Sequence, residues 1–199
     1  MSLFSTEELN KKKPSSFRST SVKHSGTTHN VVLGKSNQTI EHVIGEISWN
    51  QTIHYASMGD WSTHDLIFYI LKQNGPSRVY FTTWSISEYA VRQLYYFVES
   101  GLILELKGIF DYRNGIHKPA ELQLLKNITT DIKAAKCHAK VTVIENDRMG
   151  IAIVGSANFT RNPRIEAGVI CTLREVAEFH KAWILEELNN TSSFDRNNP

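Results

Sequence analysis

From Thr52 to Leu188 the chain alternates short strand-like runs with capped amphipathic segments, and this alternation limits its possible folds more than any other feature. Thr52–Ser57 (TIHYAS), Arg78–Thr82 (RVYFT) and Leu102–Phe110 are rich in β-branched and aromatic residues and read as strands. Ser62–Asn74 between them reads as a helix. Ser62 can cap it with Asp65 three residues on, Gly75 can close it, and Leu66, Ile67, Ile70 and Leu71 fall on one face. Ser85 with Glu88 offers a second capping box, for a helix running to about Ser100 before Gly101. Pro119–Asn127 reads as a short helix. Strands are expected at Ile132–Ala135, His138–Ile144, Ile151–Val154 and Ala167–Thr172, and a last helix at Glu175–Leu188. Strand–helix–strand alternation followed by several strands implies an α/β fold, a mixed β-sheet flanked by helices on both faces.

At 199 residues, 41% hydrophobic and 21% charged, the chain has material for one globular domain with flanking tails rather than a disordered or fibrous chain. Residues 48–188 are expected to be the domain, 189–199 a C-terminal tail, and 1–47 a polar, basic, flexible extension. Its first 30 residues carry Lys11, Lys12, Lys13, Arg18 and Lys23 against Glu7 and Glu8. They read either as a solubilising or docking tail or as a basic arm for nucleic acid or an acidic partner. No apolar run approaches the roughly 20 residues of a membrane-spanning helix, so no membrane insertion is expected. The N-terminus has no apolar core of signal-peptide length, and the expected location is cytoplasmic. Two cysteines, Cys137 and Cys171, can form neither a disulfide framework nor a four-cysteine zinc site, and both read as small buried hydrophobes. A net charge of +2 does not mark the whole surface for nucleic acid.

Chemistry concentrates in Cys137–Thr172. On a strand, residues i and i+2 share a face, so His138 and Lys140 project together while Ala139 points away. The next strand ends in Gly155-Ser156-Ala157-Asn158, where Ser156 and Asn158 can share a face and Gly155 lets a backbone approach closely. Glu166 opens the following strand. An imidazole, an ammonium, a hydroxyl, an amide and a carboxylate can thus meet at one patch, a set suited to a phosphodiester. Imidazole can attack phosphorus. Lysine and the neutral donors can hold the non-bridging oxygens. A carboxylate on the other ring nitrogen would fix the tautomer. Lys140 supplies the charge a metal would otherwise supply, so neither metal nor cofactor is expected. Arg161 and Arg164, beyond the turn, read either as binders of flanking phosphates or as simply exposed side chains. His54 reads as a hydrogen-bonded core histidine, and Trp61, Trp84 and Trp183 as packing anchors.

The constellation resembles the phospholipase D superfamily, whose signature is H-x-K, four residues, Asp, then G-S-x-N. The match covers His138, Lys140, Gly155, Ser156 and Asn158, with Glu166 following as in the bacterial nuclease members. A looser likeness runs over roughly residues 50–188. Two departures stand out. Glu145 occupies the aspartate position, and the stretch from there to Gly155 is three residues longer than the common spacing. The resemblance gives that acidic residue a mainly structural place. It also implies a reaction using two histidines, one attacking and one protonating the leaving oxygen. His24, His29, His42, His54, His64, His117 and His180 are none of them followed by Lys at i+2, so a single chain carries one H-x-K. A two-fold homodimer with facing sites is the natural way to supply the second. The expected function is therefore a metal-independent phosphodiesterase, foremost a nuclease. The alternatives are a noncatalytic binding or structural subunit of a nucleoprotein assembly, and a phospholipase or phosphatidyltransferase.

Overall fold

The computed structural model describes residues 39–113, 119–160 and 164–190, together with the backbone of 20–25 and 28–33. In chain order the elements are β1 (Thr20–Ser25), β2 (Thr28–Leu33), α1 (Ile40–Ile44), β3 (Thr52–Ser57), α2 (Thr63–Asn74), β4 (Ser77–Thr83) and α3 (Glu88–Glu99). Then follow β5 (Ile103–Asp111), α4 (Pro119–Ile128), β6 (Asp131–Ala135), β7 (Val141–Glu145), β8 (Gly150–Gly155), β9 (Glu166–Cys171) and α5 (Arg174–Asn189). The strands form one mixed sheet in the order β2-β1-β3-β9-β8-β7-β4-β5-β6. β4, β5 and β6 run parallel, and every other pairing is antiparallel.

Alternation along the central strands builds two cores. Val79 and Phe81 of β4, Ile144 of β7, and Ile151 and Ile153 of β8 point to one face, where α1, α2, α3 and α4 contribute Ile44, Leu66, Ile70, Leu94 and Leu125. Tyr80, Val141, Val143 and Ala152 point to the other, under Ala177 and Ile184 of α5. The expected α/β class, with helices on both faces of a mixed sheet, is the observed one. Because both faces are covered, the central strands lack an apolar–polar alternation and read as near-continuous apolar runs.

Several local expectations shift. The domain does not begin at 48. Val43 and Ile44 are buried in the main core, and β1 pairs with β3 as part of the sheet. Ile40, Val43, Ile44 and Ile47 follow helical spacing, a pattern hidden when the first 47 residues are averaged as polar. The expected mobility of residues 1–19 and the tail after Asn190 lie outside the described residues. In α2 the Ser62–Asp65 box forms as expected, Ser62 N–H donating to Asp65 Oδ2 at 2.9 Å, and Gly75 closes the helix at φ +82°. α3 instead starts two residues later than expected, capped by Ser87 Oγ, which accepts from Ala90 N–H at 3.3 Å. Ser85 is committed elsewhere, to the candidate site. The longer β7–β8 connection is a hairpin closed by Asn146, whose Oδ1 accepts from the N–H groups of Arg148 and Met149 at 2.9 and 3.0 Å.

Candidate active site

The sheet's architecture brings the strand ends to one edge. Thr82 near the end of β4 pairs with Val141 at the start of β7, Val141 with Val154, and Gly155 with Gly168, while Ser57 at the end of β3 pairs with Glu166. His138 and Lys140 precede β7 rather than lying within the strand expected from 138. The ladder to β4 ends at Thr82, whose side-chain Oγ1, not a backbone carbonyl, accepts from Val141 N–H at 3.1 Å. Lys140 remains tied in, its carbonyl accepting from Gly155 N–H at 3.1 Å.

An open cleft of about 570 Å³ at this edge is lined by His138, Lys140, Gly155, Ser156, Asn158, Arg164 and Glu166, with Trp84 as a wall. Seven residues singled out in the sequence therefore share one cavity. Arg161 lies outside the described residues.

Lys140 Nζ donates to the His138 carbonyl at 2.8 Å and stands 3.4 Å from His138 Nε2. An ammonium has only protons to give, so this contact calls for a lone pair on Nε2 and a proton on Nδ1. Burial pulls the Lys140 ammonium below its usual range, and the nearby Cys137 and Glu166 push it partly back. Ser156 Oγ donates to Glu166 Oε2 and accepts from Ala167 N–H at 3.1 Å. The single hydroxyl proton is thus given to the carboxylate. The hydrogen bond described for Glu166 runs to Ser156, not to the imidazole it was expected to orient.

Asn158 is aimed from behind. Its Oδ1 accepts from Ser85 N–H at 3.2 Å and Thr83 Oγ1 at 3.4 Å, and its carbonyl accepts from Thr63 Oγ1 at 3.1 Å. A backbone N–H can only donate, which makes the facing amide atom oxygen and leaves the NH2 end for other acceptors. Gly155 is a packing requirement. A Cβ there would come within 3.0 Å of the Ala167 carbonyl and 3.3 Å of Gly168 Cα. Gly168 is tighter, since its Cβ would lie 2.6 Å from the Tyr55 hydroxyl beneath the site.

Glu145, at the signature's acidic position, lies at the far end of β7. There it accepts from Lys181 Nζ at 2.7 and 3.0 Å and from Arg78 Nε at 3.4 Å, joining β7 to β4 and α5. Burial pushes the Cys137 thiol up, in keeping with an unreactive, half-buried side chain. His54 is exposed on β3 rather than in the core. Trp61 and Trp183 pack as expected, but Trp84 is 37% exposed in the cleft. Its ring centroid is 6.0 Å from that of His138. Arg113 Cζ lies 5.5 Å from the indole centre, held by Asp111 through bonds of 2.6 and 3.1 Å. Trp84, Asp111 and Arg113 were not foreseen as site residues. A usable signal was their place just at or beyond the C-terminal ends of the parallel strands β4 and β5, where open α/β sheets bind ligands. Among the described residues no group of three or more His, Cys, Asp or Glu side chains is arranged to hold a metal ion, and no helix is long and apolar enough to cross a membrane.

No protein-family model matches the chain, and no curated protein matches it. Solved structures do. Nuc, a phospholipase D family member from Salmonella typhimurium, matches with a TM-score of 0.43 at 16% identity, over 60% of this chain and 84% of Nuc. TrmBL2, an archaeal chromatin protein whose structure shows a novel mode of DNA binding, gives 0.47 at 12% identity, over 67% of this chain and 51% of that one. Polyphosphate kinase from Porphyromonas gingivalis gives 0.51 at 15% identity, over 73% of this chain but only 27% of the kinase. At such identities the likeness is one of fold, and the kinase match carries it.

Proposed function

We propose that the chain is a phospholipase D-like, metal-independent phosphodiesterase that cleaves nucleic acid as a homodimer. The observation that carries the reading is the convergence of His138, Lys140, Ser156, Asn158 and Glu166 on one cleft. His138 Nε2 attacks phosphorus. A P–N bond forms, the P–O bond to the leaving group breaks, and the leaving oxygen takes a proton from His138 of the partner subunit. That imidazole then takes a proton from water, whose oxygen attacks phosphorus and displaces His138. Lys140 and the Asn158 amide hold the non-bridging oxygens. As phosphate enters, Ser156 turns its proton to an oxygen and releases Glu166 to the His138 ring.

Nucleic acid is preferred to lipid for reasons of sequence and site. The single-motif form resembles bacterial endonucleases, the N-terminal segment is basic, and Arg164 lines the cleft. The test is incubation with single-stranded DNA, duplex DNA, RNA and phospholipid vesicles in EDTA. Cleavage of a nucleic acid in chelator is expected. Complete loss in EDTA, restored by one divalent ion, would overturn the metal-independent mechanism. Inertness toward every substrate would favour a noncatalytic subunit.

A further inference from the structure

The proposed chemistry leaves one wall of the cleft unused. Trp84 is the first residue after β4, and its partly exposed indole stands beside His138. Arg113 lies over the same ring, and its position is set by a carboxylate that is almost fully buried, Asp111 at 1% exposure. Asp111 also accepts from Arg113 N–H at 3.1 Å and from the backbone of Cys137, the residue before His138. One buried group thus fixes the guanidinium behind the indole and the backbone of the residue just before the imidazole. Asp111 holds the Arg113 guanidinium through Nε and Nη2, with its centre against the indole ring.

We infer that Trp84, backed by Arg113, is a stacking platform for a nucleobase next to the phosphate at His138, which makes the substrate a single strand with unstacked bases. This inference rests on the phosphodiesterase reading for its phosphate. A flat indole held rigidly beside a phosphate grip suits a base, since every base offers a π-face. A base paired in a duplex already stacks on both sides and reaches the indole only at the cost of unstacking.

The test measures equilibrium binding in EDTA with the full chain carrying His138→Asn, which keeps the strands intact. The probes are a short single-stranded oligodeoxynucleotide, the same backbone with abasic residues, the matching duplex, and phosphatidylglycerol vesicles. The base-bearing strand is expected to bind roughly tenfold tighter than the abasic one. Adding Trp84→Ala should remove that difference without weakening abasic binding, while Trp84→Phe should keep most of it. Equal affinity for the base-bearing and abasic strands before Trp84 is changed would overturn the inference. So would an equal loss on both strands with Trp84→Ala, tighter binding of the duplex, or Trp84-dependent binding of the vesicles in place of the strand. Cleavage by the chain with His138 intact is read separately. Discrimination through Trp84 without cleavage sinks the hydrolytic reading alone, and cleavage without discrimination sinks the platform alone.

Discussion

At Glu166 one carboxylate serves several neighbours. It accepts the Ser156 hydroxyl proton, its charge holds up the Lys140 ammonium against burial, and in the proposed reaction it balances the His138 ring. Glu166→Gln keeps an oxygen for Ser156 and removes the charge. Turnover is expected to fall about tenfold or more, with little change in the unfolding midpoint. The pH profile gives the sharper reading. Lys140 must be protonated to hold phosphate, and losing the Glu166 charge lowers its pKa further. The alkaline limb of kcat should therefore move to lower pH. An unchanged limb and unchanged turnover would remove Glu166 from the site. That His138, Lys140, Ser156, Asn158 and Glu166 meet at one cleft was legible because the motif residues flank the ends of adjacent strands. The Ser156–Glu166 bond was not, since one serine can bond equally to phosphate or to a neighbour until the chain packs.

The strands and helices were read where local chemistry and packing agree. β3 and α2 match because TIHYAS and the Ser62–Asp65–Gly75 punctuation agree locally with the packing around them. The start of α3 was misread because two serines compete for the cap. Ser85 is drawn off to orient Asn158, and Ser87 N–H bonds to the Phe159 carbonyl at 2.9 Å. A tertiary contact over 70 positions away in sequence decided the cap, and no local pattern shows it. Glu145 belongs to this scale as well. It lies four residues beyond the start of β7, about 13 Å along the strand from the end nearest the cleft. Its partners are Arg78 and Lys181 of neighbouring elements. Glu145→Ala is expected to cost about 1–3 kcal/mol of stability, measured by urea unfolding, with cleavage per folded molecule unchanged. Lost cleavage at full stability would instead give the acidic residue a part in the reaction.

For the whole molecule, the histidine count makes the assembly part of the chemistry. If each turnover needs His138 from two chains, then wild-type and His138→Ala chains, mixed equally and re-equilibrated, should retain about one quarter of the all-wild-type activity per dimer. Independent subunits would retain about half. The variant must first be shown to fold and pair by its size in solution. The most direct test of the account is whether phosphorus becomes bonded to His138 during turnover. A radiolabelled phosphodiester is mixed with excess protein in EDTA and quenched within a single turnover in alkaline denaturant. The expected result is protein-bound label that survives base, is released by acid, and is absent with His138→Ala. Product formed in EDTA with no protein-bound label, or label that persists without His138, would contradict it.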